Sequence, residues 1–494
     1  MALVSINNLS FSYDSSYDMI FENVSFQINT DWKLGLIGRN GKGKTTFLNI
    51  LLGKYKFSGT ISSNVTFEYF PYDVKNKNLN SMEIFKEMCS DSEEWEFLRE
   101  ISLLDIKEDI VYQPYKFLSN GEQTKILLAI LFLKENNFLL IDEPTNHLDI
   151  NSRKIIGEYL NRKKGFILVS HDRNLIDSCV NHILYINKRN IEIQKGNFSS
   201  WEKNKQQQDE LEILQNEKLK KEITRLEKSS RKNALWSEKL EKSKNRLDVS
   251  KTVGFADKGF IGAQAARIMK RSKSIEKRKN KLIEEKSELL HNIDINERLK
   301  IHPLQFHNSR LIEFENVSLF YGNNKICKNM NFIIERGDRI LLKGKNGSGK
   351  SSVLKLILGE DIKYEGYIYK AKNLKISYVQ QNTSNLTGNI FDYINEKQID
   401  RTLFLSILRK MDFGRLQFEK DIGSFSEGQR KKILIATSLC EEAHLYIWDE
   451  PLNFIDILSR IQIENLILEY SPTLLFVEHD TIFSEKIATK VIHL

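Results

Sequence analysis

The sequence predicts an α/β protein in which two similar domains are joined by a long antiparallel α-helical hairpin. The chain repeats itself at an offset of about 307 residues: GRNGKGKT at 38–45 returns as GKNGSGKS at 344–351. The tripeptide Asp-Glu-Pro at 142–144 likewise returns at 449–451. A period of this length indicates two domains rather than a solenoid. Between the copies, residues 202–301 contain no proline and three glycines, as expected of long helices.

Short apolar runs precede the glycine-rich and acidic segments in both copies. They lie at 34–37, 138–141 and 166–169 in the first copy and at 339–342, 445–448 and 474–477 in the second. Strands that are apolar throughout predict a parallel sheet covered on both faces. We therefore predict a first domain at 1–201, a hairpin linker at 202–301 with its tip near 248–264, and a second domain at 302–494.

Composition excludes several classes of protein. The sequence contains no run of about 18 apolar residues, so a membrane span is not expected. The N-terminus lacks the basic start and apolar stretch of a signal peptide, so we expect a cytoplasmic protein. The cysteines are scattered singly, which disfavours a zinc site or a redox pair; they are Cys89, Cys179, Cys327 and Cys440.

The positive charge is concentrated in the linker. The chain has a formal net charge of +8, and residues 202–300 hold 26 basic and 17 acidic residues, so the rest is nearly balanced. A localised basic segment favours a polyanionic partner such as a nucleic acid. A solvated helix face is the alternative.

Each copy carries the Gly-x4-Gly-Lys-Ser/Thr pattern of a phosphate-binding loop. Its glycines let backbone N–H groups turn toward phosphates, its lysine neutralises them, and its hydroxyl can ligate Mg²⁺. The predicted ATP-binding residues are Gly38, Asn40, Gly41, Gly43, Lys44, Thr45 and Thr46, and in the second copy Gly344, Asn346, Gly347, Gly349, Lys350, Ser351 and Ser352.

Carboxylates end the next apolar run in both copies. We predict that Asp142 and Asp449 reach Mg²⁺ together with Thr45 and Ser351. The following glutamates are predicted to orient and polarise the attacking water. A histidine follows the third apolar run in each copy, and we predict that it contacts the γ-phosphate. The predicted catalytic residues are therefore Glu143, Glu450, His171 and His479.

Both copies resemble the ATP-binding cassette (ABC) ATPases. SNGEQ at 119–123 and SEGQ at 426–429 are similar to that family's signature motif, and 146–149 and 453–456 to its D-loop. The resemblance implies that the two domains pack head to tail, with 38–46 facing 426–429 and 344–352 facing 119–123. It adds as ATP contacts Ser119, Gly121, Gln123, Ser426, Gly428 and Gln429, and it implies that Tyr13 and Tyr321 stack on adenine.

The two copies depart from the family pattern differently. The glutamine that follows the central strand, an implied Mg²⁺ ligand, is present as Gln381, whereas Tyr72 takes its place in the first copy. Both glutamates are intact. We therefore predict two composite hydrolytic sites of unequal character.

The linker holds two apolar ladders with seven-residue spacing. They are Leu219, Leu226, Leu240 and Leu247, and Ile268, Ile275, Leu282 and Leu289. Such ladders suit an antiparallel coiled coil that reverses at the glycines. The tip could pack on itself, or it could contact RNA by stacking and by phosphate contacts. The tip residues predicted for that role are Lys251, Val253, Gly254, Phe255, Lys258, Phe260 and Ile261.

Two cassettes with so long a linker resemble the ABC-F translation factors, and in particular their antibiotic-resistance branch of the Lsa/Vga type. The resemblance implies a monomer that pairs its own cassettes and binds the ribosomal E site. It implies contact with P-site tRNA and with 23S rRNA near the peptidyl-transferase centre, and displacement of lincosamides, streptogramin A and pleuromutilins. No membrane partner is expected. The alternatives are a housekeeping ABC-F translation regulator, the soluble ATPase subunit of a drug-efflux transporter and, more distantly, a DNA-repair ATPase.

Overall fold

A computed structural model describes residues 3–13, 19–90, 92–134, 136–145, 148, 150–244, 277, 299–321, 324–345 and 347–494. It confirms the predicted mixed α/β fold with two similar domains. The predicted return helix of the linker, apart from residue 277, and its tip near 248–264 lie outside the described residues. So do Asn346 and most of the predicted D-loop at 146–149.

The first domain begins with strands and adds helices between them. Its elements are β1 (Leu3–Ser12), β2 (Met19–Asn29), β3 (Lys33–Ile37), α1 (Lys44–Leu51), β4 (Ser58–Ser62), β5 (Thr66–Phe70), α2 (Ser81–Met88), α3 (Glu94–Leu103), α4 (Glu108–Val111), α5 (Asn120–Leu133), β6 (Asn137–Asp142), α6 (Ile150–Arg162), β7 (Phe166–Val169), α7 (Arg173–Cys179), β8 (His182–Asn187) and β9 (Asn190–Lys195). A small antiparallel sheet has the order β2-β1-β4, and the larger sheet has the order β5-β6-β7-β3-β8-β9.

A long helix, α8 (Phe198–Lys244), leaves the first domain and enters the linker. The second domain then repeats the pattern with β10 (Arg310–Tyr321), β11 (Asn324–Glu335), β12 (Arg339–Lys343), α9 (Lys350–Leu358), β13 (Tyr364–Lys370), β14 (Ile376–Val379), α10 (Ile390–Glu396), α11 (Arg401–Lys410), α12 (Glu427–Cys440), β15 (Leu445–Asp449), α13 (Ile457–Tyr470), β16 (Leu474–Val477), α14 (Thr481–Ile487) and β17 (Lys490–His493). Its sheets have the orders β11-β10-β13 and β14-β15-β16-β12-β17.

The order of the parallel strands places the chemistry of each domain at one edge. β7 lies between β6 and β3, and β16 lies between β15 and β12, with all of these strands parallel. The carboxyl ends of three neighbouring strands therefore meet at the same edge of the sheet. The phosphate loop, the Asp-Glu pair and the histidine each follow one of those strands, so they converge although they are distant in sequence.

Successive side chains of a central strand point to opposite faces of the sheet, and both faces are covered. The central strands are therefore apolar throughout. Phe138 and Leu140 belong to a core shared with β1, β2 and α1, whereas Leu139 and Ile141 belong to a core shared with the helices. All four side chains are at most 1% exposed because both faces of the sheet are covered. The sequence pattern thus predicted the layered arrangement correctly.

The first turn of α8 is fixed within the first domain by aromatic packing. Trp201 lies 5.1 Å from Tyr185 and 5.6 Å from Phe198 between ring centroids, and all three are buried. At about 1.5 Å per residue, the 47 residues of α8 span roughly 70 Å. By internal contacts the chain divides into two compact units, residues 1–201 with 296–494, and residues 202–295. No helix within the described part of the chain is long and apolar enough to cross a membrane.

A buried ion pair fixes the segment that precedes α13. Lys432 Nζ lies 2.7 Å from Asp456 Oδ2 and donates to the Met411 carbonyl at 2.9 Å, and the two charged side chains are 4% and 0% exposed. Asp456 also caps α13 by accepting from Ser459 N at 2.9 Å. Although burial pushes the other way, Lys432 holds the pKa of Asp456 well below its usual value.

We therefore expect Lys432→Met to lower the free energy of unfolding by about 3–5 kcal/mol, because it strands a buried carboxylate. Urea denaturation followed by circular dichroism measures the change. Lys154→Met removes the cation of an exposed pair with Glu158 and serves as the control, expected to have little effect. A loss below about 1 kcal/mol for Lys432→Met would contradict the interpretation.

Candidate ATP-binding and hydrolysis sites

The first phosphate loop joins β3 to α1 in a conformation that requires glycine. Gly43 has φ 98°, and a Cβ there would lie 2.7 Å from Ile20 Cγ2. Lys44 folds back over the loop, with Nζ donating to the Gly38 carbonyl at 2.8 Å and to Asn40 Oδ1 at 3.1 Å. The ammonium thus lies over the turn at the start of α1, where helix N–H groups favour an anion.

Asp142 ends β6 beside the hydroxyl of the phosphate loop. Its Oδ2 accepts from Thr45 Oγ1 at 3.2 Å and from the Tyr69 hydroxyl at 3.1 Å. Burial raises the pKa of Asp142, and these two hydrogen bonds oppose the rise. Sequence reasoning predicted Thr45 and Asp142 but missed Tyr69, whose place on the adjacent strand β5 is the signal that points to it.

Glu143 and His171 face each other at the ends of β6 and β7. Glu143 has φ 51°, and its N–H donates to the Val169 carbonyl at 2.9 Å. Its buried Oε1 has no hydrogen-bond partner and lies 3.4 Å from His171 Nε2. Burial, and then Asp142, raises the pKa of Glu143 to about 8, and burial holds the pKa of His171 well below its usual value.

The second phosphate loop repeats the geometry of the first. Gly349 has φ 94°, and Lys350 Nζ donates to the Gly344 and Lys345 carbonyls at 2.9 and 3.0 Å. Burial raises the pKa of Asp449, and a hydrogen bond from Ser351 opposes the rise. Asp449 Oδ1 is buried without a hydrogen-bond partner.

Glu450 has more partners than Glu143. Its Oε2 accepts from Gln381 Nε2 at 2.7 Å and from Asn453 Nδ2 at 2.6 Å, and its Oε1 lies 3.4 Å from His479 Nε2. Burial alone would raise the pKa of Glu450, but these partners hold it below its usual value. In the first domain Tyr72 replaces the glutamine and packs against the helical core instead. The two sites therefore differ at the predicted catalytic carboxylate.

The two signature segments begin helices with the same capping geometry. Ser119 caps α5 and exchanges hydrogen bonds with Glu122, and Ser426 caps α12 in the same way with Gln429. Gln123 donates from Nε2 to the Leu118 carbonyl at 3.0 Å. Each serine hydroxyl thus lies at a helix N-terminus, where an anion is favoured.

The first phosphate loop meets the signature region of the second domain. Asn40 Nδ2 donates to the Phe454 carbonyl at 2.9 Å, and Lys42 Nζ lies 3.2 Å from Asp412 Oδ1. A Cβ at Gly428 would lie 2.4 Å from the Phe454 oxygen and 3.2 Å from Asn40 Nδ2. The structure therefore brings Asn40 of the first phosphate loop against Gly428 of the second signature segment.

The reciprocal arrangement is described only in part. The residues that correspond to Asn40 and Phe454 are Asn346 and His147, which lie outside the described residues. Only the backbone of Tyr321 is described, at the end of β10. Its counterpart Tyr13 shares a hydrogen bond of 2.7 Å with Thr46 Oγ1 and packs edge-on against Phe11.

The residues at both sites fit a magnesium ion bound with a nucleotide. Each site pairs one hydroxyl with one aspartate, and oxygen donors are what Mg²⁺ prefers. The buried, unpartnered Asp449 Oδ1 is an oxygen that a cation would satisfy. Thr45 with Asp142, and Ser351 with Asp449, would hold the ion. When bound, it neutralises charge on the phosphate oxygens.

Together these features define a P-loop ATPase with two ATP-binding domains in one chain. The sequence pattern of the family described as "ABC transporter" matches residues 21–146 and 327–453. The chain belongs to this family, and it binds and hydrolyses ATP.

Relatives align over nearly the whole chain. The "Ribosome protection protein VmlR" of Bacillus subtilis (strain 168) is 29% identical over 98% of this chain and 85% of its own length. The "ATP-binding protein Uup" of Buchnera aphidicola subsp. Acyrthosiphon pisum (strain APS) is 30% identical over 99% of this chain and 80% of its own. The "Erythromycin resistance ATP-binding protein MsrA" of Staphylococcus epidermidis is 30% identical over 93% and 91%.

A solved structure shares the fold at low sequence identity. It is the crystal structure of the complex of archaeal ribosomal stalk protein aP1 and archaeal ribosome recycling factor aABCE1. The match has a TM-score of 0.59 and 17% identity, and covers 98% of this chain and 87% of that one.

Proposed function

We propose that this protein is an ATP-dependent, ribosome-binding ATPase of the ABC-F type that protects the ribosome from antibiotics. The observation that carries the proposal is the alignment with a protein named for ribosome protection, which runs through both ATPase domains and the linker. The erythromycin-resistance relative supports the same role.

The linker supports a nucleic-acid partner independently of the relatives. The remainder of the chain is nearly neutral, while the linker carries the whole positive excess. Because phosphate contacts by Lys and Arg dominate affinity for RNA, a basic segment of this length is suited to rRNA and tRNA.

In the proposed cycle, ATP closes the two cassettes and the closed form binds the ribosomal E site. The linker then directs residues 253–262 toward the P-site tRNA and the 23S rRNA near the peptidyl-transferase centre. Lincosamides, streptogramin A and pleuromutilins are displaced there, as in the Lsa/Vga branch, and hydrolysis releases the protein. The chain acts in the cytoplasm as a monomer.

The proposed chemistry at each site follows from the geometry. Lys44 and Lys350 hold the phosphates, and the two aspartates hold Mg²⁺. Glu143 and Glu450 polarise the attacking water, which is a carboxylate role in phosphoryl transfer. Gln381 contacts Glu450 directly, so we assign it a second role in orienting that carboxylate.

A housekeeping translation regulator is the second candidate. The 30% identity to the ATP-binding protein Uup favours it, because that relative aligns over 99% of this chain and its name carries no drug role. A drug-efflux ATPase is the third candidate, and it leaves the basic linker unexplained.

Expression in a drug-sensitive Gram-positive host tests the proposal. We expect the wild-type chain to raise the inhibitory concentration of at least one of the three drug classes several-fold and to co-sediment with ribosomes. Phe255→Ala with Phe260→Ala is expected to lose protection while ribosome binding is retained, and Trp95→Ala, an exposed aromatic of the first domain, is the matched control. Resistance through efflux without ribosome association would contradict the proposal.

A further inference from the structure

A buried charge cluster joins the two ATPase domains close to both predicted γ-phosphate histidines. Arg173 begins α7, and its guanidinium pairs with Glu464 of α13 in the second domain. It also lies 3.5 Å from Asp480 Oδ2. The side chains of Arg173 and Glu464 are 3% and 0% exposed, so this contact is sealed from water.

The cluster extends to both histidine segments. Arg173 lies two residues after His171, and Asp480 directly follows His479. Asp480 Oδ2 accepts from Arg460 at 2.9 Å, and Asn174 Nδ2 donates to Thr481 Oγ1 at 2.6 Å. The segment that follows one histidine is therefore bonded directly to the segment that follows the other.

The bridge from Arg173 to Glu464 has no symmetric counterpart, although the two domains are repeats and the pair of Arg460 with Asp480 returns in the first domain as Arg153 with Asp172. At the positions equivalent to Glu464 and Lys486, which pair at 3.0 Å, the first domain has Gly157 and Ser178. At the position equivalent to Arg173 the second domain has Thr481. The bridge therefore exists in one direction only, from an arginine of the first domain to acids of the second.

We propose that Arg173 is a positioning residue that couples the two ATP sites. It transmits the position of the segment after His171 to the segment after His479 through Glu464 and Asp480. A single bridge carries the coupling, because Thr481, at the position equivalent to Arg173, has no charge. It requires only the ATPase activity, and so it is independent of the proposed ribosomal role.

The physical basis is the burial of the pair. An Arg–carboxylate contact in low dielectric is rigid and directional, so that movement of one partner is costly unless the other follows. Lys486 remains as a partner of Glu464 when Arg173 is replaced, so the carboxylate keeps a compensating charge.

The test combines Arg173→Met with the loss of one ATP site. Lys350→Ala removes the phosphate lysine of the second site, and steady-state ATP hydrolysis is measured for both single variants and the double variant. With coupled sites, Lys350→Ala is expected to lower the hydrolysis rate of the wild-type background at least about tenfold. In the Arg173→Met background the same change is expected to lower it only about twofold, because each site then acts alone.

Controls separate coupling from damage to the fold. Arg189→Met breaks a half-exposed Arg–Glu pair within the first domain and is expected to leave the tenfold response intact. Arg173→Lys, which keeps the charge, is expected to restore most of the response, and Glu464→Gln is expected to mimic Arg173→Met. Thermal unfolding of each variant identifies any that has lost its structure. An equal response to Lys350→Ala in the wild-type and Arg173→Met backgrounds would overturn the proposal.

Discussion

Replacing both Glu143 and Glu450 by glutamine is expected to lower the rate of ATP hydrolysis by about 10²–10⁴-fold while ATP affinity stays within a few-fold of wild type. Both glutamates follow an aspartate at the end of a buried strand and face a histidine, at 3.4 Å in each domain. Glutamine keeps the size of the side chain and its capacity to hydrogen-bond, but it cannot accept the proton of the attacking water.

Release of inorganic phosphate measures the loss, and a fluorescent ATP analogue measures binding. Glu158→Gln alters a solvent-exposed glutamate of α6 and is the matched control, with unchanged turnover expected. The single variants should differ from each other, because Glu450 has three polar partners and Glu143 has a buried oxygen without a hydrogen bond. Turnover within threefold of wild type in the double variant would refute the assigned role.

Gly428→Ala is expected to lower ATP hydrolysis by about 10- to 100-fold, because it forces apart the first composite site. The added Cβ would lie 2.4 Å from the backbone oxygen of Phe454, which itself holds Asn40 of the facing phosphate loop. A backbone atom cannot rotate away as a flexible side chain does, so the signature segment or the loop must shift.

A glycine of the same domain outside the signature segment provides the control. Gly414 has φ −73°, and no atom of the described residues would lie within 4 Å of an added Cβ there. We expect Gly414→Ala to leave hydrolysis within about twofold of wild type. Similar losses from the two substitutions, measured by the same phosphate assay, would show that the contact at Phe454 does not limit the first site.

The strands around the sites were predictable because their signal is local. The apolar runs at 166–169 and 474–477 coincide with β7 and β16, and the other four differ from their strands by one residue at one or both ends. Such strands are apolar because both faces of the sheet are covered, so a short uninterrupted apolar run before each motif identified them. Phosphate-loop chemistry was visible for a similar reason, since its glycines and lysine lie within eight residues.

Contacts between distant residues were not visible in the sequence. Arg173 and Glu464 are separated by 291 positions, and nothing in their local pattern marks them as partners. In the sequence nothing distinguishes Lys432 from the other polar residues of α12, yet it is 3% exposed and paired with Asp456. The sequence shows Tyr72 in place of a glutamine, but it does not show that the Tyr69 hydroxyl donates a hydrogen bond to Asp142. Each depends on how strands and domains pack, which spacing does not encode.

Cell-free translation by purified ribosomes tests the central claim most directly, because no membrane is present. Ribosomes are inhibited in separate reactions by a lincosamide, by streptogramin A and by a pleuromutilin, and the purified chain is added with ATP. The account predicts that the wild-type protein restores peptide synthesis in at least one reaction. The variant with both glutamates replaced should bind ribosomes without being released, and so should fail to restore it. Synthesis that stays inhibited at every protein concentration, with all three drugs, would contradict the account.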